Sequence, residues 1–265
     1  GSLSTLVTAR GGGGLRWRGR DALRWRPDAT AQDWGLWIYV RDVDSDRIWS
    51  ATQAPTWVEP DRYEVVFGAH AVSFQRADAG IGMRTTVTVA PPGDVEIRRV
   101  TLVNETRRRR ILDLTSFAEV ALADPGEDRR HPAFSKLFVE GRYASRSGVL
   151  LLERRPRGDE GPMALGHAVT SADPEAEPVA WCLDREAFLG RGGALRAPRG
   201  VRDPSPGRKP DQVWSPLDPV VSLTTRIELS PGQELSVAFL TAVAEVPSSA
   251  LAAIDAYRSP QRATF

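Results

Sequence analysis

Short runs in which apolar and polar residues alternate recur along this chain, and they limit its fold more than any other feature. Such alternation is typical of β-strands with one buried face. Turn residues, chiefly Gly, Pro, Asp and Ser, separate the runs at short intervals. The pattern predicts strands over residues 3–9, 34–40, 47–52, 62–67, 71–76, 82–90, 94–103, 111–122, 134–143, 148–153, 166–170, 178–183, 219–229 and 233–243.

Signals for helices are few. Residues 247–258 carry apolar side chains at helical spacing after Pro247, with Ser248 or Ser249 available as the N-cap. Residues 184–189 are compatible with one short helical turn. About a dozen strands and one terminal helix predict an all-β fold, a large antiparallel β-sandwich with a short C-terminal helix.

Three polar segments are predicted to lie outside the strands. Residues 124–130 form a polar loop, and residues 197–219, rich in Pro, Gly, Arg and Asp, form an irregular one. Residues 107–110 are four consecutive arginines at a hairpin position, which favours a solvated turn.

Size and charge exclude several classes of protein. The 265 residues suffice for one large β-domain, and no internal repeat divides them. With 35 basic and 34 acidic residues the formal net charge is +1, so no nucleic-acid partner is expected. The single cysteine, Cys182, excludes an internal disulfide and a cysteine zinc cluster, and we expect neither metal nor cofactor. Because no apolar run is long enough to cross a membrane as a helix, the chain as given is predicted to be soluble.

One stretch, residues 11–37, concentrates residues suited to binding a ligand. It opens with four glycines and then interleaves arginines with four of the eight tryptophans: Trp17, Trp25, Trp34 and Trp37. Tryptophan offers a flat apolar face and arginine a planar fork of donors, a combination that suits sugars. The alternative interpretation is that the tryptophans fill a β-core while the arginines solvate its rim.

Known catalytic motifs are absent from the sequence. The glycine run lacks the lysine of a phosphate-binding loop, and no Gly-x-Ser-x-Gly elbow indicates a serine hydrolase. The three histidines lie far apart in sequence, so we expect structural or surface roles for His70, His131 and His167.

A pair of carboxylates facing each other across a sugar would suffice for a glycosidase. Four acidic residues in or beside predicted strands are candidates: Asp33, Glu64, Glu119 and Glu140. Because the chain has 34 acidic residues, such a pair also arises by chance. A free-standing carbohydrate-active enzyme, with its carboxylate pair on a concave sheet face, is therefore kept as an alternative.

Two further stretches mix polar and apolar residues without the alternation of a strand. Residues 131–138 read HPAFSKLF and include Lys136, one of only two lysines. Residues 188–192 read FLGRG, an arginine between two glycines. Each is interpreted as a loop packed over a ligand cleft.

These stretches resemble a known family. Residues 11–26, followed by Asp33-Trp34-Gly35, resemble the opening of the glycoside phosphorylase module of cyclic β-1,2-glucan synthases, with LRWR at residues 15–18 where the family has Ser-Arg-Trp-Arg. Residues 131–138 and 188–192 are similar to the family's HPAFSKLF and FLGRG stretches, in the same order. The chain thus resembles glycoside hydrolase family 94, formerly glycosyltransferase family 36, which includes cellobiose and chitobiose phosphorylases.

The resemblance implies a galactose-mutarotase-like super-β-sandwich over residues 1–246. Residues 247–265 then resemble the start of a helical linker, which in the family leads to a catalytic (α/α)6 barrel. Because that barrel supplies the family's general acid, this chain alone is expected to be inactive, within a parent phosphorylase or glycosyltransferase. Family cyclic glucan synthases are inner-membrane proteins, so the parent is expected in the inner membrane or the cytoplasm.

The first hypothesis is accordingly a non-catalytic carbohydrate-binding or structural module of a β-glucan synthase or phosphorylase, with cyclic β-1,2-glucan as the glucan. The expected partners are a β-linked glucan or oligosaccharide, the (α/α)6 domain and a second copy of the chain. The residues expected to bind substrate are Arg16, Trp17, Arg18 and Trp25, with His131 and Lys136 behind them. Trp17 would stack on a sugar ring. Packing of these residues against the barrel, and a purely structural oligomerisation domain, remain open as alternatives.

Overall fold

Two antiparallel eight-stranded sheets form the protein in this computed structural model, which describes residues 2–27, 34–90, 93–158, 160–171, 178–205, 207 and 209–258. Sheet 1 has the order β1 (Leu3–Val7), β2 (Gly13–Trp17), β3 (Arg20–Leu23), β10 (Arg110–Ala123), β15 (Pro219–Leu229) and β14 (Pro178–Asp184), with β4 (Trp37–Asp42) pairing β10 and β5 (Ile48–Ser50) pairing β4. Sheet 2 has the order β11 (Val139–Ala144), β12 (Val149–Arg154), β13 (Met163–Ser171), β16 (Glu234–Ala244), β9 (Val95–Asn104), β8 (Ile81–Val89), β7 (Ala71–Asp78) and β6 (Arg62–Phe67). The predicted β-sandwich is confirmed.

The main apolar core lies between the two sheets. Every second side chain of β10 points into it, as the alternation requires: Leu112, Leu114, Ala118, Val120 and Leu122. His167 on β13 lies in the same layer, where its Nε2 is 2.9 Å from Ser116 Oγ and its Nδ1 3.0 Å from Thr241 Oγ1. Complete burial lowers the pKa of His167 to about 3, so the ring is neutral and has the structural role predicted for it.

Short helices cover part of each outer sheet face. On sheet 1, α3 (Arg185–Leu189) and α4 (Arg199–Arg202) enclose a second cluster in which Phe188 stacks on Phe117 at 4.5 Å between ring centroids. The FLGRG stretch therefore packs on the outer face of sheet 1.

On sheet 2, α5 (Pro247–Tyr257) lies across β12, β13 and β16 and buries Ala250, Ile254 and Tyr257. The helix fits closely because Gly166 has no side chain; a Cβ there would lie 2.8 Å from Ile254 Cδ1. Its N-cap is Val246 rather than either predicted serine, and no side chain caps it.

Three segments differ from the sequence predictions. The glycine-rich stretch contains β2 and β3, for which the alternation gave no signal because glycines occupy the first positions of β2. Residues 124–130, predicted as a loop, form the helix α1 (Pro125–Arg130) and its N-cap Asp124. The Asp124 carboxylate accepts hydrogen bonds from the first two free N–H groups of the helix. The helix α2 (Pro132–Lys136) follows, so the strand predicted from residue 134 begins only at Val139.

Candidate functional site

The hairpin of β2 and β3 presents the candidate residues Arg16, Trp17 and Arg18. Its two-residue turn is formed by Arg18 and Gly19, both with positive φ, as in the type I′ turns that match strand twist. Alternation along β2 directs Leu15 and Trp17 into the core and Arg16 to the surface. Neighbouring candidates of the sequence thus face in opposite directions.

Trp17 is a core residue with only 3% of its surface exposed. Its indole Nε1 donates to Asp94 Oδ2 at 2.6 Å, and the Arg18 guanidinium lies 4.3 Å from the ring centroid. Arg18 also pairs with Glu245 at 2.6 Å. The stacking role predicted for Trp17 needs a free ring face, which this packing does not provide, so a structural role replaces it.

Arg16 and Trp25 do meet, in a cleft of about 270 Å³ beside the hairpin. The cleft is lined by Ser4, Thr5, Leu6, Gly14, Leu15, Arg16, Asp21, Leu23 and Trp25. Arg16 Nε donates to Asp21 Oδ1 at 2.8 Å, and burial raises the pKa of the Asp21 carboxyl. Trp25 is half-buried, so part of its ring is accessible. The cleft offers an aromatic surface beside charged and hydroxyl hydrogen-bonding groups.

Gly14 makes room for Trp25. A Cβ on Gly14 would lie 2.5 Å from the Cβ of Trp25, far inside contact distance. The glycine at this position of the run therefore allows the tryptophan to lie against β2, a relation that the sequence spacing did not reveal.

His131 and Lys136 lie apart from this cleft, at the corner formed by α1 and α2. His131 is exposed and precedes α2, while Lys136 forms an ion pair with Asp218. The structure therefore does not bring these two candidates together with Arg16 and Trp25. Two large apolar side chains are exposed beside them, Phe134 at 48% and Leu137 at 47%.

A buried ionic cluster anchors the same corner. Arg24 donates to both oxygens of Asp128 at 2.9 and 2.8 Å and to Glu119 at 3.0 Å. Arg185 donates to the other oxygen of Glu119 at 2.6 Å. Burial by itself would raise the pKa of Asp128, but the hydrogen bonds and charge of Arg24 outweigh it and hold the pKa below the usual value. Sequence reasoning missed this network because its partners are about 100 residues apart.

The candidate carboxylates that the structure describes are either dispersed or bound by arginines. Glu119 accepts from two arginines on sheet 1, whereas Glu64 on β6 and Glu140 on β11 lie at opposite edges of sheet 2. Seven strand spacings, about 34 Å along the sheet, separate those edges. Asp33 lies outside the described residues. The geometry of Glu64, Glu119 and Glu140 does not favour a glycosidase built on these three residues.

The arginine run at residues 107–110 is only in part the solvated turn predicted from the sequence. Residues 107–109 are exposed, but Arg110 is 1% exposed and donates to Asp42 Oδ2 at 2.6 Å and to the Ala79 carbonyl at 2.9 Å. Arg110 thus ties the start of β10 to β4.

In the described part of the chain, no three side chains of His, Cys, Asp or Glu converge as they would around a metal ion. None of the helices formed by the described residues has the length and apolar character needed to span a membrane.

Two solved structures share this fold. A polysaccharide lyase aligns with 94% of this chain and 33% of its own, with a TM-score of 0.52 and 13% identity. An Escherichia coli K12 protein described as a candidate aldose 1-epimerase aligns with 93% of this chain and 97% of its own, with a TM-score of 0.52 and 10% identity. At these identities the likeness concerns the fold alone.

Sequence relatives are larger proteins. A cyclic β-(1,2)-glucan synthase of Rhizobium meliloti is 32% identical over 262 residues, 98% of this chain but 9% of the relative. An N,N′-diacetylchitobiose phosphorylase of Vibrio proteolyticus is 26% identical over 222 residues, 83% of this chain and 26% of the relative. This chain therefore spans about a quarter or less of these relatives' length. The sequence profile of the glycosyl hydrolase 94 supersandwich domain matches residues 1–260, and with the two-sheet fold this shows that the chain belongs to that domain family.

Proposed function

We propose that this β-sandwich is a non-catalytic carbohydrate-binding and structural module of a larger β-glucan synthase or phosphorylase. The family and the relatives support the carbohydrate context. The non-catalytic role is favoured because the candidate carboxylates of the described residues are either dispersed or engaged by arginines.

The cleft of Arg16, Asp21 and Trp25 is the observation that carries the sugar-binding part. Its volume of about 270 Å³ lies just below the range of about 300–1,000 Å³ that is usual for small-ligand sites, so it suits a single sugar residue or the end of a chain. The accessible part of Trp25 would stack on the apolar face of the ring, and Arg16 and Asp21 would bind its hydroxyls. A β-1,2-linked glucan is the substrate suggested by the synthase relative.

The structural part is supported by the corner of α1 and α2. Exposed apolar side chains such as Phe134 and Leu137 often mark protein interfaces, and His131 and Lys136 lie next to them. We infer that this corner contacts another part of the parent protein, with the (α/α)6 domain as the proposed partner and a second copy of the chain as the alternative.

Calorimetric titration of the chain tests the sugar-binding proposal. We expect saturable binding of β-1,2-gluco-oligosaccharides and weaker binding of β-1,4-linked ones. Trp25→Ala should weaken binding about fivefold, since a stacking contact is worth about 1 kcal/mol.

Arg16 and Arg18 provide a matched pair for the same experiment. Both are exposed arginines of one hairpin, with 48% and 55% of the side chain accessible, and each pairs with one carboxylate. Only Arg16 lines the cleft, so Arg16→Ala should weaken binding while Arg18→Ala should leave it unchanged. Equal effects of both variants, or no binding at millimolar oligosaccharide, would contradict the proposed site. Release of sugar or sugar phosphate by the isolated chain would contradict the non-catalytic role.

A further inference from the structure

The helix α5 covers only part of the outer face of sheet 2. Its apolar residues pack on β12, β13 and β16 and share a buried cluster with Val95 and Ile97 at the start of β9, and they leave the outer face of β6 to β8 and of the rest of β9 uncovered. Side chains of this uncovered face line a depression of about 670 Å³, and most of them are polar. They include Glu64, Gln75, Arg84, Thr101, Glu105 and Glu234.

Two arginines on this face lack carboxylate partners. Arg84 on β8 and Arg99 on β9 are diagonal neighbours, because Arg84 is paired with Thr101 and Thr86 with Arg99. Diagonal neighbours on one sheet face lie about 7–8 Å apart, within reach of side chains as long as arginine. No carboxylate oxygen of the described residues lies within 4 Å of either guanidinium group.

Arg99 is unusual among the arginines that the structure describes. The fully buried ones each have a carboxylate partner: Arg24, Arg76, Arg98, Arg110 and Arg154. Arg99 is half-buried, and its Nη2 is inaccessible to solvent without any hydrogen-bond acceptor. Leaving a buried charged donor unpaired costs free energy, and the neighbouring charge of Arg84 adds repulsion. Burial, and then that charge, lower the pKa of Arg99.

We propose that Arg84 and Arg99 form a binding site for an oxyanion, a phosphate or carboxylate group, on the uncovered face of sheet 2. Such a group would accept hydrogen bonds from both guanidinium groups and neutralise the repulsion between them. Gln75 on β7, which is paired with Arg84, and the hydroxyl pair of Thr101 and Ser236, 2.8 Å apart, provide further polar groups beside the site. The site is on sheet 2, whereas the Arg16 and Trp25 cleft is on sheet 1. The experiments on this site therefore do not depend on the proposed function.

Calorimetric titration of the whole chain at constant ionic strength tests this site. Inorganic phosphate, glucuronate and glucose serve as the three probes. Saturable binding of phosphate or glucuronate, with none of glucose, is expected, and the stronger of the two identifies the preferred oxyanion. Absence of saturable binding for both anions at millimolar concentration would overturn the proposal.

Arg84→Gln and Arg99→Gln should each weaken anion binding about tenfold, the loss expected for one charge-assisted hydrogen bond. Arg107→Gln is the matched control, because Arg107 is an exposed arginine in the turn after β9 and not on the sheet face that carries Arg84 and Arg99, and it should leave binding unchanged. An equal effect of Arg107→Gln would indicate general attraction to positive charge and overturn the site.

Thermal unfolding separates a binding role of Arg99 from a structural one. Because its buried Nη2 has no acceptor in the folded chain, Arg99→Met should leave the melting temperature unchanged or raise it. Phosphate should raise the melting temperature of the parent chain and not that of Arg99→Met. A large loss of stability in Arg99→Met would mean that the residue holds the fold together, and it would contradict the proposal.

Discussion

At the scale of single residues, Arg108 and Arg110 show how much environment differs within one arginine run. Arg108 is exposed, whereas Arg110 is buried against Asp42. Arg110→Ala should lower the free energy of unfolding by about 3 kcal/mol, because it leaves the Asp42 carboxylate buried without its ion-pair partner. Arg108→Ala should change it by less than about 0.5 kcal/mol. Urea unfolding followed by circular dichroism measures both, and similar losses in the two variants would contradict the assigned roles.

His167 predicts a specific dependence of stability on pH. Its pKa in the folded chain is about 3, against an ordinary histidine value of 6.5, so the unfolded state binds the proton first. Stability contributed by the neutral ring is present above pH 6.5 and is lost as the pH falls towards 3, by about 1.4 kcal/mol per pH unit. Unfolding measured from about pH 6.5 down to about pH 4.5 should show this slope. His167→Gln should flatten it, whereas the exposed His70→Gln should retain it.

Substitution of Gly14 is expected to disturb the cleft rather than the core. An alanine there would place its Cβ 2.5 Å from the Cβ of Trp25, so the indole must move away from β2. Gly14→Ala should therefore weaken oligosaccharide binding and shift the tryptophan fluorescence. Gly19→Ala is a control without a steric neighbour, since a Cβ on Gly19 meets nothing within 4 Å, although its positive φ adds strain. Unchanged binding in Gly14→Ala would contradict the position given to Trp25.

From the sequence, Trp17 and Trp25 are predicted alike to bind substrate and the stacking role is assigned to Trp17, which is the buried one of the two. Trp17 and Trp25 have nearly the same arginine-flanked context, yet one is 3% exposed and the other is half-buried. Which ring is accessible depends on the register of the β2–β3 hairpin, because a shift of one residue turns every side chain to the other face. That register was not evident from the glycine-rich sequence. Arg110 was likewise misassigned, because its partner Asp42 is 68 residues away.

At the scale of elements, the packing of α5 on sheet 2 contributes to the free energy of unfolding of the sandwich. Ile254→Ala should cost about 3 kcal/mol in the free energy of unfolding, because Ile254 is completely buried against Gly166 and the apolar outer face of sheet 2. Ser249→Ala, at an exposed position that does not cap the helix, should cost less than about 0.5 kcal/mol. A larger loss for Ser249→Ala would indicate that the serine does cap the helix.

Strands with regular alternation were predictable, and those dominated by glycine were not. β6, β9 and β15 coincide with predicted runs to within about one residue, because apolar and polar residues alternate along much of each strand. The helices α1 and α2 were missed because each is only about one turn long and has no apolar stripe. The Asp124 cap and the ion pair of Arg24 with Asp128 hold α1, whereas no side chain caps α2.

At the scale of the whole molecule, the number and spacing of the strands predicted the two-sheet fold. They did not predict which parts of the outer sheet faces are covered by helices. Alternation identifies which side of a strand is apolar, and it cannot say whether a helix covers the opposite side. The outer face of sheet 2 is apolar under α5 and mostly polar over β6 to β8 and the second half of β9, and only the structure places these two regions side by side. The proposed oxyanion site arises from that division.

The pairing of β10 with strands far apart in the sequence affects how the protein folds during its synthesis. It pairs with β3 and β4, which precede it, and with β15, which begins at Pro219, so sheet 1 cannot be completed until almost the whole chain exists. At the usual pace of synthesis, about 5–20 residues per second, the growing chain waits on the order of 10 s between finishing β10 and starting β15. During that interval one edge of the longest strand is unpaired, and an unpaired apolar edge invites association with other nascent chains. During this period we expect chaperones to bind the ribosome-bound chain at the unpaired edge of β10.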